Sequence, residues 1–199
     1  MAKKLEIDQR IVDAALSLAA ETPWSRVALA DIAKRAKVPL SQLYALYSSR
    51  SAILAAFARR IDSEVLSAKP DGGSEPRDRL FDVMMRRFDA LTARKPAIKS
   101  IARSCIGDPI SVLCHGRQVV RSMAWMIEAA GIPSVSIVGA VRAHALAAIY
   151  ARTLRVWLAD DGADMAKTMA SLDRNLRRAE FLFAPMRGGA APAGSAAAS

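Results

Sequence analysis

At 199 residues the chain is long enough to bury one large core or two smaller ones without disulfide or metal staples. Its composition is 52% hydrophobic but only 6% aromatic, rich in Ala, Leu, Ile and Met rather than in the β-branched and aromatic mix of sheets, so an all-α class is expected. Lys and Arg outnumber Asp and Glu by 29 to 19, a formal net charge of +10, which makes an anionic partner such as nucleic acid or a membrane surface plausible.

The opening MAKKLEIDQR runs into an amphipathic pattern instead of an apolar signal region, and a first helix is expected from about Asp8 to Ala20. Ile7, Ile11, Ala14 or Ala15, and Leu18 share one face of it. Thr22, Pro23 and Trp24 end that helix, with Trp24 read as a lid on a small core rather than as a base-stacking residue. A second helix follows from about Leu29 to Lys37, and a third from about Leu40 to Tyr47. Ile32, Ala33, Ala36 and Val38, then Leu43, Leu46 and Tyr47, form two short inward faces that meet at a turn of a few residues, the pattern of a helix-turn-helix. Two helices so short need a third behind them. Ser48 or Ser49 supplies an N-cap oxygen for a fourth helix, which carries Ile53, Leu54, Phe57, Ile61 and Val65 to about Ser67.

The Gly, Pro and Ser content of KPDGGSEP, Lys69 to Pro76, marks a boundary. Beyond it Leu80, Met84, Phe88 and Leu91 form the stripe of a fifth helix, widened by Phe81 and Met85. A short helix after Pro96 stops at Gly107, and another runs from near Pro109 towards Ala130, where Gly131 and Pro133 end it. Between Ser136 and Leu158 apolar residues occupy nearly every side, and Ala140, Ala143, Ala147 and Ala151 add a strip of small residues. That helix is either the centre of one subunit's core or, the favoured reading, part of a subunit interface. A last helix is expected from about Asp164 to Phe183, and the Gly/Ala/Ser/Pro tail from 187 to 199 is expected to be disordered.

Cys105 and Cys114 have neither CxxC nor Cys/His ligand spacing, His115 and His144 are isolated, and no hydrolase, nucleotide-binding or zinc-protease motif occurs. The chain is therefore read as no enzyme, and no catalytic residue, metal or cofactor is expected. No run of about 18 apolar residues occurs, so no membrane span is expected, and the location is read as cytoplasmic.

The cationic excess is local. From Trp24 to Arg60 seven cations, Arg26, Lys34, Arg35, Lys37, Arg50, Arg59 and Arg60, face the single anion Asp31. In the same stretch Asp31, Ile32, Ala33, Ala36 and Val38, then Leu43, Tyr44 and Tyr47, then Ile53 and Leu54, follow the order and spacing of the TetR family of bacterial one-component regulators, which residues 5 to 65 resemble. The resemblance implies that the third helix lies in the major groove of double-stranded DNA while the ends of the second and fourth hold phosphates. Lys34, Lys37, Pro39, Leu40, Ser41, Gln42, Tyr44 and Arg50 are then the DNA-binding set. Gln42 would read an adenine edge, Ser41 a base or phosphate, Leu40 a thymine methyl, and Tyr44 and Arg50 phosphates. Three positions depart from the family pattern: Ala28 where an N-cap Thr or Ser is usual, Lys37 where the turn usually has Gly, and a third helix without Lys, Arg or His.

The segment from Tyr150 to Glu180 is similar to Coq9-like proteins, lipid-binding supporters of ubiquinone biosynthesis with a TetR-like fold, through Trp157, Leu158, Asp160, Asp161, Thr168, Met169, Leu172, Asp173 and Arg174. Together these readings give an all-α, TetR-like chain: an N-terminal three-helix helix-turn-helix head over 5–65 and a C-terminal helical bundle over 76–186 for ligand binding and dimerisation. The expected function is a ligand-responsive repressor that binds a palindromic operator as a homodimer. A Coq9-like lipid-binding accessory protein is the alternative. Met84, Phe88, Met123, Met126 and Trp157 are the expected pocket for a small apolar or amphipathic effector.

Overall fold

The computed structural model describes residues 2–68, 75–105 and 109–183, and among them every regular element is helical. The first helix, α1 (Ala2–Glu21), starts six residues earlier than its apolar stripe requires, because nothing in the segment before Asp8 breaks a helix. A single 3₁₀ turn, Trp24–Arg26, leads to α2 (Leu29–Ala36), α3 (Leu40–Leu46) and α4 (Arg50–Ser67). Ser49 caps α4 by accepting from the Ala52 amide at 3.1 Å. Around these helices Ile11, Ala15, Ile32, Leu43 and Ile53 close into one core, with Trp24 buried over it as expected.

The body comprises α5 (Pro76–Thr92), α6 (Lys95–Cys105), α7 (Pro109–Ala129), α8 (Ile137–Leu158), α9 (Ala166–Arg178) and the single turn α10 (Glu180–Phe183). Pro76 opens α5, where its missing amide costs no hydrogen bond. The expected last helix is divided. Asp164 accepts from the Ala166 amide, Met165 takes a left-handed conformation, and a break at Ala179 separates α9 from α10. Most of the expected linker, and the tail from 187 on, lie outside the described residues.

Neither core stops at a chain boundary. The first half of α4 packs into the head through Ile53 and Leu54, whereas Ile61 and Val65, about two and three turns on, join the body core with Leu80, Met84, Phe88, Met123 and Trp157. In the other direction Ala97 of α6 is buried in the head core. Ser100 of the same helix accepts from the Trp24 amide at 3.0 Å and donates to the Thr22 carbonyl at 3.3 Å. Head and body are thus joined along α4 and again at the Trp24 turn. Among the described residues no helix is long and apolar enough to cross a membrane.

Candidate nucleic-acid interface

The helix-turn-helix owes its angle to one left-handed residue. Lys37 ends α2 with φ 55° and ψ 46°, its amide donates to the Lys34 carbonyl, and the Val38 amide donates to the Ala33 carbonyl at 3.0 Å. A side chain in that conformation costs roughly 1 kcal/mol relative to Gly. Arg10 of α1 offsets part of it by donating to the exposed carbonyls of Ala36 and Lys37, a contact that no periodicity in the sequence announces. At the other end of α2, Asp31 accepts from the Ala28 amide at 3.0 Å, while Ala28 has no side-chain oxygen to return the bond.

Those bonds aim α3. Leu43 and Tyr47 point into the head core, and the Tyr47 hydroxyl donates to the Asp8 carboxylate, an arrangement in which burial first and then that carboxylate hold the phenol's proton on well above its ordinary range. The opposite side of α3 is open: Tyr44 is 76% and Leu40 52% exposed, Pro39 and Ser41 are exposed, and Gln42 is half-buried.

The cations sort into two groups. Lys34 and Lys37 are exposed and show no ion pair among the described residues. Arg35 is committed to Glu21 by two short bonds of 2.7 and 2.8 Å, and Arg35, then Ser17, pulls the Glu21 carboxyl down to about 2. Arg50 is likewise turned inward, against its expected phosphate role. Its Nη1 donates to the carbonyls of Trp24 at 2.7 Å and Val27 at 2.9 Å, and its guanidinium carbon lies 5.5 Å from the centre of the Trp24 ring. The long side chain reaches back over the turn, where two half-buried carbonyls accept from it. A notch of about 470 Å³ beside it is lined by Arg26, Ala28, Leu29, Ser48 and Ser49, where α2 and α4 both begin. Arg26 also lines the adjoining groove with Lys34 and Lys37. It was not in the expected set, and its only signal was a cation two residues ahead of the second helix.

The family model for bacterial regulatory proteins of the tetR family matches residues 11–57, from α1 through the recognition motif into α4. That match covers the helix-turn-helix head. A TetR regulator from Nitrosomonas europaea superposes with a TM-score of 0.69 at 25% identity, covering 87% of this chain and 98% of that one. One from Rhodococcus sp. RHA1 gives 0.68 at 20% identity over 92% and 99%. The fold is also that of Thermus thermophilus FadR, a repressor crystallised with lauroyl-CoA, at a TM-score of 0.53 and 16% identity over 94% and 100%. No curated protein matches the chain. In coarse terms the matched head and the shared fold are those of a DNA-binding transcriptional regulator.

In the body the expected pocket residues are brought together, but as closed core. Met84, Phe88, Met123 and Met126 are 0% exposed and Trp157 1%. Phe88 stacks obliquely on Trp157 with ring centres 5.9 Å apart, so any ligand must part these side chains to enter.

The residues behind the Coq9-like resemblance have structural work in this fold, and that alternative is not favoured. The Asp160 carboxylate accepts from the Thr168 amide at 2.9 Å and its hydroxyl at 2.7 Å, capping α9 from outside it, which holds the carboxyl below its ordinary range. Lys95 donates to the Asp160 carbonyl and sits over the Trp157 ring. Asp173 pairs with Arg177 at 3.0 Å and with Arg77 of α5 at 3.2 Å.

The small-residue strip of α8 is split by the same geometry. Ala143 faces the core, while Ala140 and Ala151 face outward on a stripe with Ile137, Val141, His144 and Ala148. Ile137 is 86% and Val141 50% exposed, and Met169 on α9 and Phe181 on α10 are exposed apolar residues as well.

Proposed function

We propose that the chain is a ligand-responsive repressor, working in the cytoplasm, whose homodimer holds two heads on a palindromic operator. The observation that carries the DNA reading is the outward side of α3: Leu40, Ser41, Gln42 and Tyr44 stand free of the core between Lys34 and Lys37 on one flank and the notch at the starts of α2 and α4 on the other. Uncharged residues in the groove discriminate bases by hydrogen bonds and methyl contacts, and the flanking cations supply salt-sensitive affinity. Pro39 starts α3 and sets its entry to the groove. Because Ala28 carries no capping oxygen, the first-turn amides of α2 remain donors for a backbone phosphate, with Arg26 beside them. Arg50 contributes by holding the Trp24 turn in place.

The exposed apolar stripe of α8, with Met169 and Phe181, supports dimerisation through the last helices, since a contiguous apolar face of that kind on a basic, otherwise charged surface favours burial against its own copy. Two heads fixed in that way reach half-sites one DNA turn, about 34 Å, or a multiple of it apart. An effector that parts Met84, Phe88, Met123, Met126 and Trp157 displaces α4, whose far half belongs to the same core.

Electrophoretic shift with the protein's own upstream region tests the reading. Tight, salt-sensitive and sequence-selective binding is expected, and weak binding indifferent to sequence would overturn it. Gln42→Ala is expected to weaken operator binding more than nonspecific binding.

A further inference from the structure

We infer that the effector is an amphiphile with an oxyanion head, held by Arg87 and Thr153 where α4 enters the body; this rests on the ligand-responsive reading above. Arg87 of α5 is a buried cation, its side chain 5% exposed, and its Nη1 donates to the Asp62 carboxylate of α4. The oxygen that receives this bond is also taken by Ser122 of α7 at 2.6 Å. The Arg87 guanidinium carbon lies 5.3 Å from the centre of the Tyr150 ring of α8. A fourth helix thus packs its tyrosine ring against the guanidinium, and the other three meet at one carboxylate oxygen. It is not enough: Arg87 Nε, fully buried, has no acceptor among the described residues.

A second unmet group borders the same layer. Thr153 is 0% exposed and its hydroxyl has no partner among the described residues. It stands on the face of α8 between Tyr150 and Trp157, and Phe88, next to Arg87 in α5, touches both of those rings at 5.6 and 5.9 Å. Buried donors without acceptors are rare in native proteins and call for a cause. A carboxylate or phosphate has lone pairs for a guanidinium and a hydroxyl together and a charge to match the cation, whereas a quaternary ammonium has no acceptor and a neutral alcohol brings no charge. The apolar body of such a ligand meets Met84, Met123 and Met126, unbranched side chains that refill space easily. The anion also competes with Asp62 for the one guanidinium, so its binding loosens the tie that holds α4, the helix that carries the head.

Four probes of equal chain length decide the matter with the full chain: decanoate, decyl phosphate, decanol and decyltrimethylammonium, each below its micelle concentration. Thermal denaturation reads binding whether or not DNA is recognised, and release of upstream DNA is read separately. The inference expects one or both anions to raise the melting temperature and release DNA, with the tighter of the two naming the head group. Replacing the pair with apolar residues of like volume, Asp62→Leu with Arg87→Met, keeps the core filled and is expected to weaken the anion by about tenfold or more. Thr153→Val, equal in shape, is expected to weaken it by several-fold. If all four probes act alike, if none binds, or if the double variant keeps its preference for the anion, the inference is overturned while a ligand-responsive regulator survives. Selective stabilisation by an anion in a chain that does not select its upstream DNA sustains the anion site and removes the regulator reading instead.

Discussion

Replacing Arg50 with Ala separates a residue that grips DNA from one that shapes the head. Its Nη1 makes two good bonds, 2.7 Å to the Trp24 carbonyl and 2.9 Å to that of Val27, with the guanidinium stacked over Trp24. A hydrogen bond from a charged donor is worth about 1.5–3 kcal/mol when removed, and a partly exposed cation–π contact about 0.5–1 kcal/mol. The two bonds share one nitrogen and do not add fully, so Arg50→Ala is expected to cost about 2–3 kcal/mol of stability. Urea denaturation measures that loss. The dependence of operator affinity on salt supplies the second axis. Each phosphate contact contributes about 0.9 to the slope of log K against log salt, so a dimer losing two Arg50–phosphate contacts would flatten by about 1.8. The inward geometry predicts an unchanged slope, with weaker binding tracking the destabilised head. A slope flattened by about 1.8 with the urea midpoint unmoved would refute the positioning role and restore Arg50 as a phosphate ligand.

Lys37→Gly is expected to raise the melting temperature, because relief of the left-handed side chain, up to about 1 kcal/mol net, outweighs the extra freedom of Gly in the unfolded chain; the same change removes a cation and should flatten the salt slope of operator binding. Asp62→Ala is expected to lose about 3–5 kcal/mol by leaving Arg87 buried and unpaired, whereas Asp62→Leu with Arg87→Met stays near wild type or above it in urea titration. The Glu21 carboxyl, drawn down to about 2 by Arg35, contributes stability that is complete above the ordinary carboxylate range and is lost as pH falls from about 4.5 towards 2. Arg35→Gln should therefore lower stability at neutral pH, leave it little changed near pH 2, and so flatten the acid limb of the stability–pH curve; an acid limb identical to wild type would show that this pair is not responsible.

The helices of the head were legible because their apolar residues recur at helical spacing and their ends carry local signals: Pro23, Ser49 and Pro76 act within a turn of themselves. The division of the last helix was less so. Its start depends on Asp160 reaching Thr168 from outside the helix, and its break at Ala179 has no local signal such as Gly or Pro. Charge was the least legible. Composition counted Arg35 and Arg50 with Lys34 and Lys37 as one basic patch, yet the first two are bound to Glu21 and to the Trp24 turn and only the lysines remain open.

By itself the sequence determined the class, the helix-turn-helix and the identity of the residues on the outer side of α3, since these follow from periodicity along a single element. Only the tertiary structure decided which cations are available, that Met84, Phe88, Met123, Met126 and Trp157 form closed core, and that Asp62, Arg87 and Ser122 converge from three helices. The reason is one of range: a side chain's face is set by its neighbours three or four residues away, whereas its partner is set by elements 25 to 60 residues distant, as in Arg87 with Asp62 and Ser122 with Asp62.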